Sequence, residues 1–352
     1  MFDFPATPTT GQQITMPDGT VRLWDGSKWV AGAYTPPALV PAQNNTGRNL
    51  VHNALFNVAQ RGAGAFTAFG AYTLDRWVLN GSLDTASVGQ FVLTDADRAQ
   101  IGDEAANICL QNGFTGNAAA GASNNLVQRI EDVRRLAGKT ITVSFYAKAV
   151  TGTPKLGVNM SQNFGTGGSP SASVTVLSVG NSVTLSTVWT RFSMTIAVPS
   201  IAGKTLGTSS DHYIGLQFWF SAGATLSATA GNIGVQSGTV YLWGVQLEIG
   251  SVATPLDYGG TPQQQLAACQ RYYQVGQLLG NGYSVASVTV SASSLLPVLM
   301  RATPTVALGS NFSTGVNTPT LGTVVGGVFA NALTTATAGY SVNCTFTASA
   351  DL

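Results

Sequence analysis

"ITVSFYAKAV", residues 141–150, is the stretch whose reading decides the fold. Ile141, Val143, Phe145 and Ala147 fall on one face; Thr142, Ser144, Tyr146 and Lys148 fall on the other. A period of two marks a half-buried strand. The same period recurs in "TRFSMTIAV" (190–198), where Phe192, Met194, Ile196 and Val198 share a face. It recurs in "HYIGLQFWF" (212–220) through Ile214, Leu216, Phe218 and Phe220. In "TVYLWGVQLEIG" (239–250) it assigns Tyr241, Trp243, Val245 and Leu247 to one face. Many such strands with polar turns between them predict a two-sheet antiparallel jelly-roll sandwich over residues 50–260, within an all-β chain. One interruption is expected: "NNLVQRIEDVRRLAG" (124–138) reads as a helix or irregular stretch, with Leu126, Ile130 and Val133 at helical spacing and Gly138 as its stop.

Four further segments flank or follow the sandwich. Residues 1–33 hold "QITMPDGTVRLWDGSKWVAG", with turn signals at Asp18-Gly19 and Asp25-Gly26 between short β-type runs. This predicts a small β-meander, too short to bury much surface alone. Residues 34–49, "YTPPALVPAQNNTGRN", read as a proline-rich linker. Residues 261–276, "TPQQQLAACQRYYQVG", open on a Thr-Pro helix start and place Leu266, Cys269, Tyr272 and Tyr273 at helical spacing. Residues 277–352 carry only two charged side chains, Arg301 and Asp351, in a Val/Thr/Ser alternation. A β domain so bare of charge has weak protection against edge-to-edge association, which predicts burial in an oligomer.

Composition excludes several functions. Charged residues make up 9% of the 352 and the formal net charge is +1, so no strong field draws nucleic acid. No apolar run has the length of a membrane helix, which argues against membrane insertion. The opening "MFDFPATPTTGQQ" has no basic-then-apolar leader, so the expectation is synthesis and retention in a cytoplasm, or release by lysis. Three widely spaced cysteines, Cys109, Cys269 and Cys344, read as buried thiols rather than as disulfides or a zinc set. Two histidines, His52 and His212, supply no Ser-His-Asp arrangement, and no cofactor loop is present. Glu248 is read as a loop anchor or a calcium ligand, though no DxDxDG run accompanies it.

In so uncharged a chain, the Asp75-Arg76 pair of "YTLDRWVL" (72–79) needs a reason. As a catalyst, Asp75 needs a second carboxyl across a groove; Glu131, Asp132, Glu248 and Asp257 are available, but none forms a spaced motif with it. As structure, the pair makes charge-assisted hydrogen bonds at the sheet rim, with Arg76 over a ring and Trp77 and Leu79 in the core. The structural reading is the one expected; no catalytic, cofactor or metal residue is assigned. A sugar-binding face is expected opposite the core, where Tyr213, Gln217 and Trp219 on one strand and Tyr146 and Lys148 on another offer ring faces and polar donors. The alternative is that these side chains cover a second sheet, a loop or a neighbouring subunit.

Several stretches, in one order, resemble phage virion proteins. "FPATPTTGQQITMPDGTVRLWDGSKWV" (4–30) resembles a short module that opens many phage tail proteins. "NLVHNALFNVAQRGAG", "YTLDRWVL", "LAGKTITVSFYAKA", "VWTRFSMTIAVPS", "VYLWGVQLEIGSVATPLDY" and "ACQRYYQ" are similar to a carbohydrate-binding-module-like jelly roll of tail fibres and receptor-binding proteins. "MRATPTV" (300–306) also looks like tail-fibre sequence; the rest of 277–352 resembles it less. The resemblance implies a virion protein, attached to other tail or head proteins through residues 1–33. It further implies a homotrimer with its β domains turned to a host-surface glycan or protein. Rival readings are a head fibre, collar or decoration protein, a capsule depolymerase, and a bacterial carbohydrate-binding module.

Overall fold

A computed structural model describes residues 4–17, 20–31, 48–324 and 326–352, with side chains omitted at 178–180. The Asp18-Gly19 turn and residues 34–47 of the expected linker lie outside the described residues. The chain divides into two compact units, Met1–Asn45 and Thr46–Leu352.

In the first unit β1 (Gln13–Thr15), β2 (Val21–Trp24) and β3 (Trp29–Ala31) form an antiparallel meander. Its β2–β3 turn is made by Asp25, whose carboxylate accepts from the Ser27 and Lys28 amides at 2.8 and 2.9 Å. Trp24 and Trp29 pack at 5.5 Å between centroids, and Phe4 lies 5.4 Å from Trp29.

The second unit begins with β4 (Gly64–Phe66), β5 (Trp77–Ser82), β6 (Thr85–Val92), helix α1 (Asp95–Ile101), β7 (Ile108–Thr115) and β8 (Ser123–Glu131). It continues through β9 (Thr140–Ala149), β10 (Lys155–Asn163), β11 (Val174–Thr184), β12 (Thr190–Ala197), β13 (Tyr213–Ala222) and β14 (Ser237–Ile249). One sheet has the order β11-β10-β13-β8-β5, the other β12-β9-β14-β7-β6-β4. The chain crosses between them repeatedly, which makes a jelly-roll sandwich. Ile141, Val143, Phe145, Ile214, Leu216, Phe218 and Phe220 meet in its core, as their alternation requires.

Two expectations for the sandwich are corrected. Residues 124–131 are strand β8, not helix; only Val133–Arg135 turn, as one 3-10 segment. Leu126 and Ile130 are both even-numbered, so their spacing satisfies a strand as well as a helix. In β14 the face changes partway: Val240, Leu242, Val245 and Leu247 enter the core, whereas Tyr241 and Trp243 point out. A β-bulge between Trp243 and Gln246 shifts the phase, with Gly244 at φ +60°, a left-handed conformation that suits glycine.

Helix α2 (Pro262–Gln270) is closed by a capping box between Thr261 and Gln264. It ends six residues earlier than expected: Tyr273 already belongs to β15 (Tyr273–Ser284), and Leu266 is exposed while Gln265 and Cys269 are buried. Then follow β16 (Thr289–Leu295), β17 (Thr305–Asn311), β18 (Thr320–Val324), β19 (Gly327–Leu333) and β20 (Ala338–Ser349). They form two three-stranded sheets, β15-β20-β17 and β16-β19-β18, around a core of Leu278, Val328, Val342 and Cys344. All three cysteines are free and buried.

Candidate ligand-binding face and the arginine joint

The sandwich has two outer faces, and the structure divides the five predicted sugar-site residues between them. Tyr146 and Lys148 are on β9, in the six-stranded sheet; Tyr213, Gln217 and Trp219 are on β13, in the five-stranded sheet. They are not one site, because alternation assigns a residue to the outside of its strand without saying which sheet the strand joins.

The outer face of the six-stranded sheet is covered over its middle strands, while Ser193, Thr195 and Ala197 of the edge strand β12 stay exposed. Helix α1, capped by Thr94 and ended by Gly102 in the left-handed region, brings Ile101 onto it. Leu55, Leu93, Ala106, Cys109, Trp189 and Trp243 complete a second apolar cluster. Lys148 is paired with Asp97 and lies 5.5 Å from the Trp189 and Tyr241 ring centroids. Asp97 also accepts from Trp189 Nε1 at 2.9 Å and Thr94 Oγ1 at 2.7 Å. Burial works to raise the Asp97 carboxyl, but the bonds from Lys148, Thr94 and Trp189 outweigh it and hold it well below the usual range. Tyr146 lies against Trp243 at 5.5 Å. On this face Glu248 is the loop anchor: it accepts from the Thr254 amide and hydroxyl and pairs with Arg48 at 3.2 Å.

The outer face of the five-stranded sheet is half covered. Trp219 is buried with Ala222, Ala230 and Ile233, and its Nε1 donates to Asn159 Oδ1 at 3.1 Å. Toward the start of β13 the face opens. Gly215 sits in register between Ser161 and Arg129, and Tyr213 between Asn163 and Glu131. Without a side chain at Gly215 the Tyr213 ring can lie beside it; a Cβ there would meet Ser161 Oγ at 2.7 Å. Gln217 donates to Ser161 Oγ at 3.2 Å, and the Arg129 guanidinium lies 5.2 Å from the Tyr213 centroid. A ring, an amide, a hydroxyl and a guanidinium, each half-buried, thus share one partly open patch, the combination that stacks on a sugar's C–H face and bonds its hydroxyls.

"YTLDRWVL" has a different role, for the Asp75 and Arg76 side chains are both buried. Asp75 accepts from the Gln60 amide at 2.6 Å and Gln60 Nε2 at 2.7 Å. Burial pushes its carboxyl up, opposed by those bonds and by Arg61. Arg76 lies 3.4 Å from the Tyr272 centroid, donates to the Arg129 carbonyl, and pairs with Asp351 at 3.7 Å. Arg61 lies 3.5 Å from the Tyr273 centroid and pairs with Asp351 and Asp75. Tyr72 donates to the Leu352 carbonyl oxygen at 3.0 Å. Arg271 grips Glu131 with two nitrogens, at 3.0 to 3.2 Å, and Tyr272 donates to the same carboxylate at 3.0 Å. "QRG", "DRW", "QRYY" and Asp351 therefore form one arginine–tyrosine–carboxylate joint between the sandwich and the β15-β20-β17 sheet. Sequence reasoning reached the structural role of Asp75-Arg76 but not these partners, which come from distant segments; Arg61 and Asp351, which meet in the joint, are 290 residues apart along the chain.

Among the described residues no three His, Cys, Asp or Glu side chains gather as a metal site, and no helix is long and apolar enough to cross a membrane. No family model and no curated protein matches the chain. Solved structures do. The family 11 carbohydrate-binding module of Clostridium thermocellum, solved with a mixed-linked tetrasaccharide, aligns at 12% identity over 55% of this chain and 99% of its own, with TM-score 0.31. The CBM22-1 xylan-binding domain from Paenibacillus barcinonensis aligns at 11% identity over 58% and 96%, with TM-score 0.31. The enzymatically active domain of bacteriophage CBA120 tailspike protein 4 aligns at 16% identity over 57% and 21%, with TM-score 0.29. Similarity at this level fixes neither ligand nor activity, and the sandwich assignment rests on the chain's own sheets.

Proposed function

We propose that this chain is a non-catalytic virion protein of the tail-fibre or receptor-binding kind. In this reading residues 1–33 attach to other virion proteins, residues 34–49 space them from the β layers, and the chain works as a homotrimer. The open patch of the five-stranded sheet receives a host-surface glycan. The observation that carries the glycan reading is the grouping of Tyr213, Gln217, Ser161 and Arg129 beside Gly215. The virion reading rests on the ordered motifs that resemble phage tail proteins. The charge-poor sheets of residues 277–352 suit burial between copies; Leu279, Tyr283, Leu295 and Leu299 are each at least 60% exposed in the single chain. A non-catalytic role agrees with Asp75, the acid most suggestive of chemistry, being buried and engaged by Gln60 and Arg61.

The test is retention on immobilised host-surface polysaccharide. Tyr213→Ala and Gln217→Ala should together weaken retention at least about tenfold, the loss of one stacking and one hydrogen-bonding contact. Tyr146→Ala should not weaken it. Equal retention of wild type and the double variant would refute the face assignment, and a monomeric mass for the intact protein would refute the trimer.

A further inference from the structure

Beside the open patch, two clefts of about 230 and 210 Å³ adjoin at the seam between the sandwich and α2, and Leu50, His52 and Arg135 line both. The first cleft continues the open patch, since Arg129 and Glu131 of β8 border it while Arg129 also lies over the Tyr213 ring. Its charge is unbalanced: Arg129, Arg135 and Arg271 face a single carboxylate, Glu131. That carboxylate is already gripped by Arg271 and Tyr272. Arg129 is engaged by the Leu352 carbonyl, and the neighbouring Arg134 by Asp132. Arg135 closes the 3-10 turn, is exposed, and makes no side-chain hydrogen bond or ion pair among the described residues. The seam thus presents one uncommitted guanidinium in a field set by several others.

We propose that the paired clefts around Arg135 are an oxyanion site, taking a carboxylate or phosphate carried on a sugar. This rests on the glycan reading of the adjoining patch and narrows it to acidic glycans. The larger cleft is of monosaccharide dimensions, and a planar guanidinium matches either oxyanion with two parallel bonds. His52 supplies a built-in reporter. Burial first, then the positive charges of Arg76, Arg135 and Arg271, push its imidazole down to about 3. An anion seated between His52 and Arg135 offsets that field and raises it.

The experiment follows the His52 resonances of the full chain by NMR, in a protein with only two histidines. The probes are glucuronate, glucose 6-phosphate and neutral glucose. At pH 7, glucuronate, glucose 6-phosphate or both should shift the His52 signals saturably; glucose should not. Whichever acid binds tells whether the site takes carboxylate or phosphate. Arg135→Ala, at an exposed position, should weaken that binding at least tenfold, and Arg135→Glu should abolish it. Two outcomes overturn the proposal: His52 silent to both acids, or a response that Arg135→Ala leaves unchanged. Polysaccharide retention that depends on Tyr213 while His52 stays silent would sink the oxyanion site alone. An Arg135-dependent response without polysaccharide retention would sink the patch reading instead.

Discussion

Replacing Arg76 by methionine tests the joint between the two β layers. Methionine keeps an unbranched stem of similar length and removes the guanidinium. Three interactions go with it: the contact 3.4 Å above the Tyr272 ring, the bond to the Arg129 carbonyl, and the pairing with Asp351. A desolvated cation–ring contact is worth about 2 kcal/mol. Breaking one partner of a buried ion pair costs about 3–5 kcal/mol when the other charge is left uncompensated, but Asp351 keeps its pairing with Arg61, so the loss here falls below that range. The terms overlap, since both remove the same charge, so the expected loss is about 2–3 kcal/mol, set mainly by the ring contact and the bond to the Arg129 carbonyl. Arg76 also holds φ at +74°, a conformation that costs an L-residue about 1–2 kcal/mol and that the joint must sustain in the wild type. The control is Arg134→Met, where an arginine with 60% of its side chain exposed pairs with Asp132. That solvent-screened surface pair should contribute little to stability. Urea unfolding at pH 7 compares the two variants, and Tyr272→Leu completes a double-mutant cycle with Arg76→Met. The cycle should show a coupling of about 1–2 kcal/mol. An Arg76→Met loss under about 1 kcal/mol, or one equal to that of Arg134→Met, would refute the joint.

Three other substitutions have directions set by the structure. His52 has a folded-state pKa of about 3, far below its ordinary 6.5, so below pH 6.5 the unfolded chain takes up a proton that the folded chain refuses. Stability should therefore fall by about 1.4 kcal/mol per unit as the pH drops from 6.5 toward 3, and His52→Gln should remove that part of the slope in urea midpoints at pH 7 and 5. Asp97→Asn strands Lys148 among Trp189 and Tyr241, and should cost about 3–5 kcal/mol in thermal or urea unfolding. Because the Asp97 carboxyl is held below its ordinary value, its contribution is present above pH 3.8 and lost as the pH falls further, so the gap between wild type and Asp97→Asn should narrow in acid. Gly244→Val places a β-branched side chain at φ +60°, with its Cβ 3.1 Å from Leu256 and 3.3 Å from Tyr146. Strain and overpacking together should cost about 2–4 kcal/mol, and near-wild-type stability would mean the bulge is not required.

Most of the sandwich was legible in local patterns. The even-numbered alternation of Ile214 to Phe220 needs nothing beyond a pleated strand with one buried face. The Thr261-Pro262 start of α2 is a local signal, and the structure closes it with a capping box. What escaped was set by distant residues. The bulge at Gly244 moves Val245 and Leu247 out of phase with Trp243, and only pairing with β9 reveals the shift. Helix α1 did carry a signal, Thr94 and Asp97 as a capping box before Gly102, but its short run has little apolar periodicity of its own. Tyr146 and Tyr213 look equivalent as outward aromatics; their sheets differ, and one is covered by the α1 layer. For Asp75-Arg76, scarcity of charge pointed to structure, yet the partners Gln60, Tyr272 and Asp351 come from three other segments that only folding brings together.

The central claim is that the chain holds a surface polysaccharide without cutting it. Its most direct test incubates the intact protein with purified host polysaccharide and follows bound mass and new reducing ends together. The account predicts retention that requires Tyr213 and Gln217, with polymer length unchanged. Steady release of reducing ends, abolished by Asp75→Asn in a variant that remains folded, would contradict it.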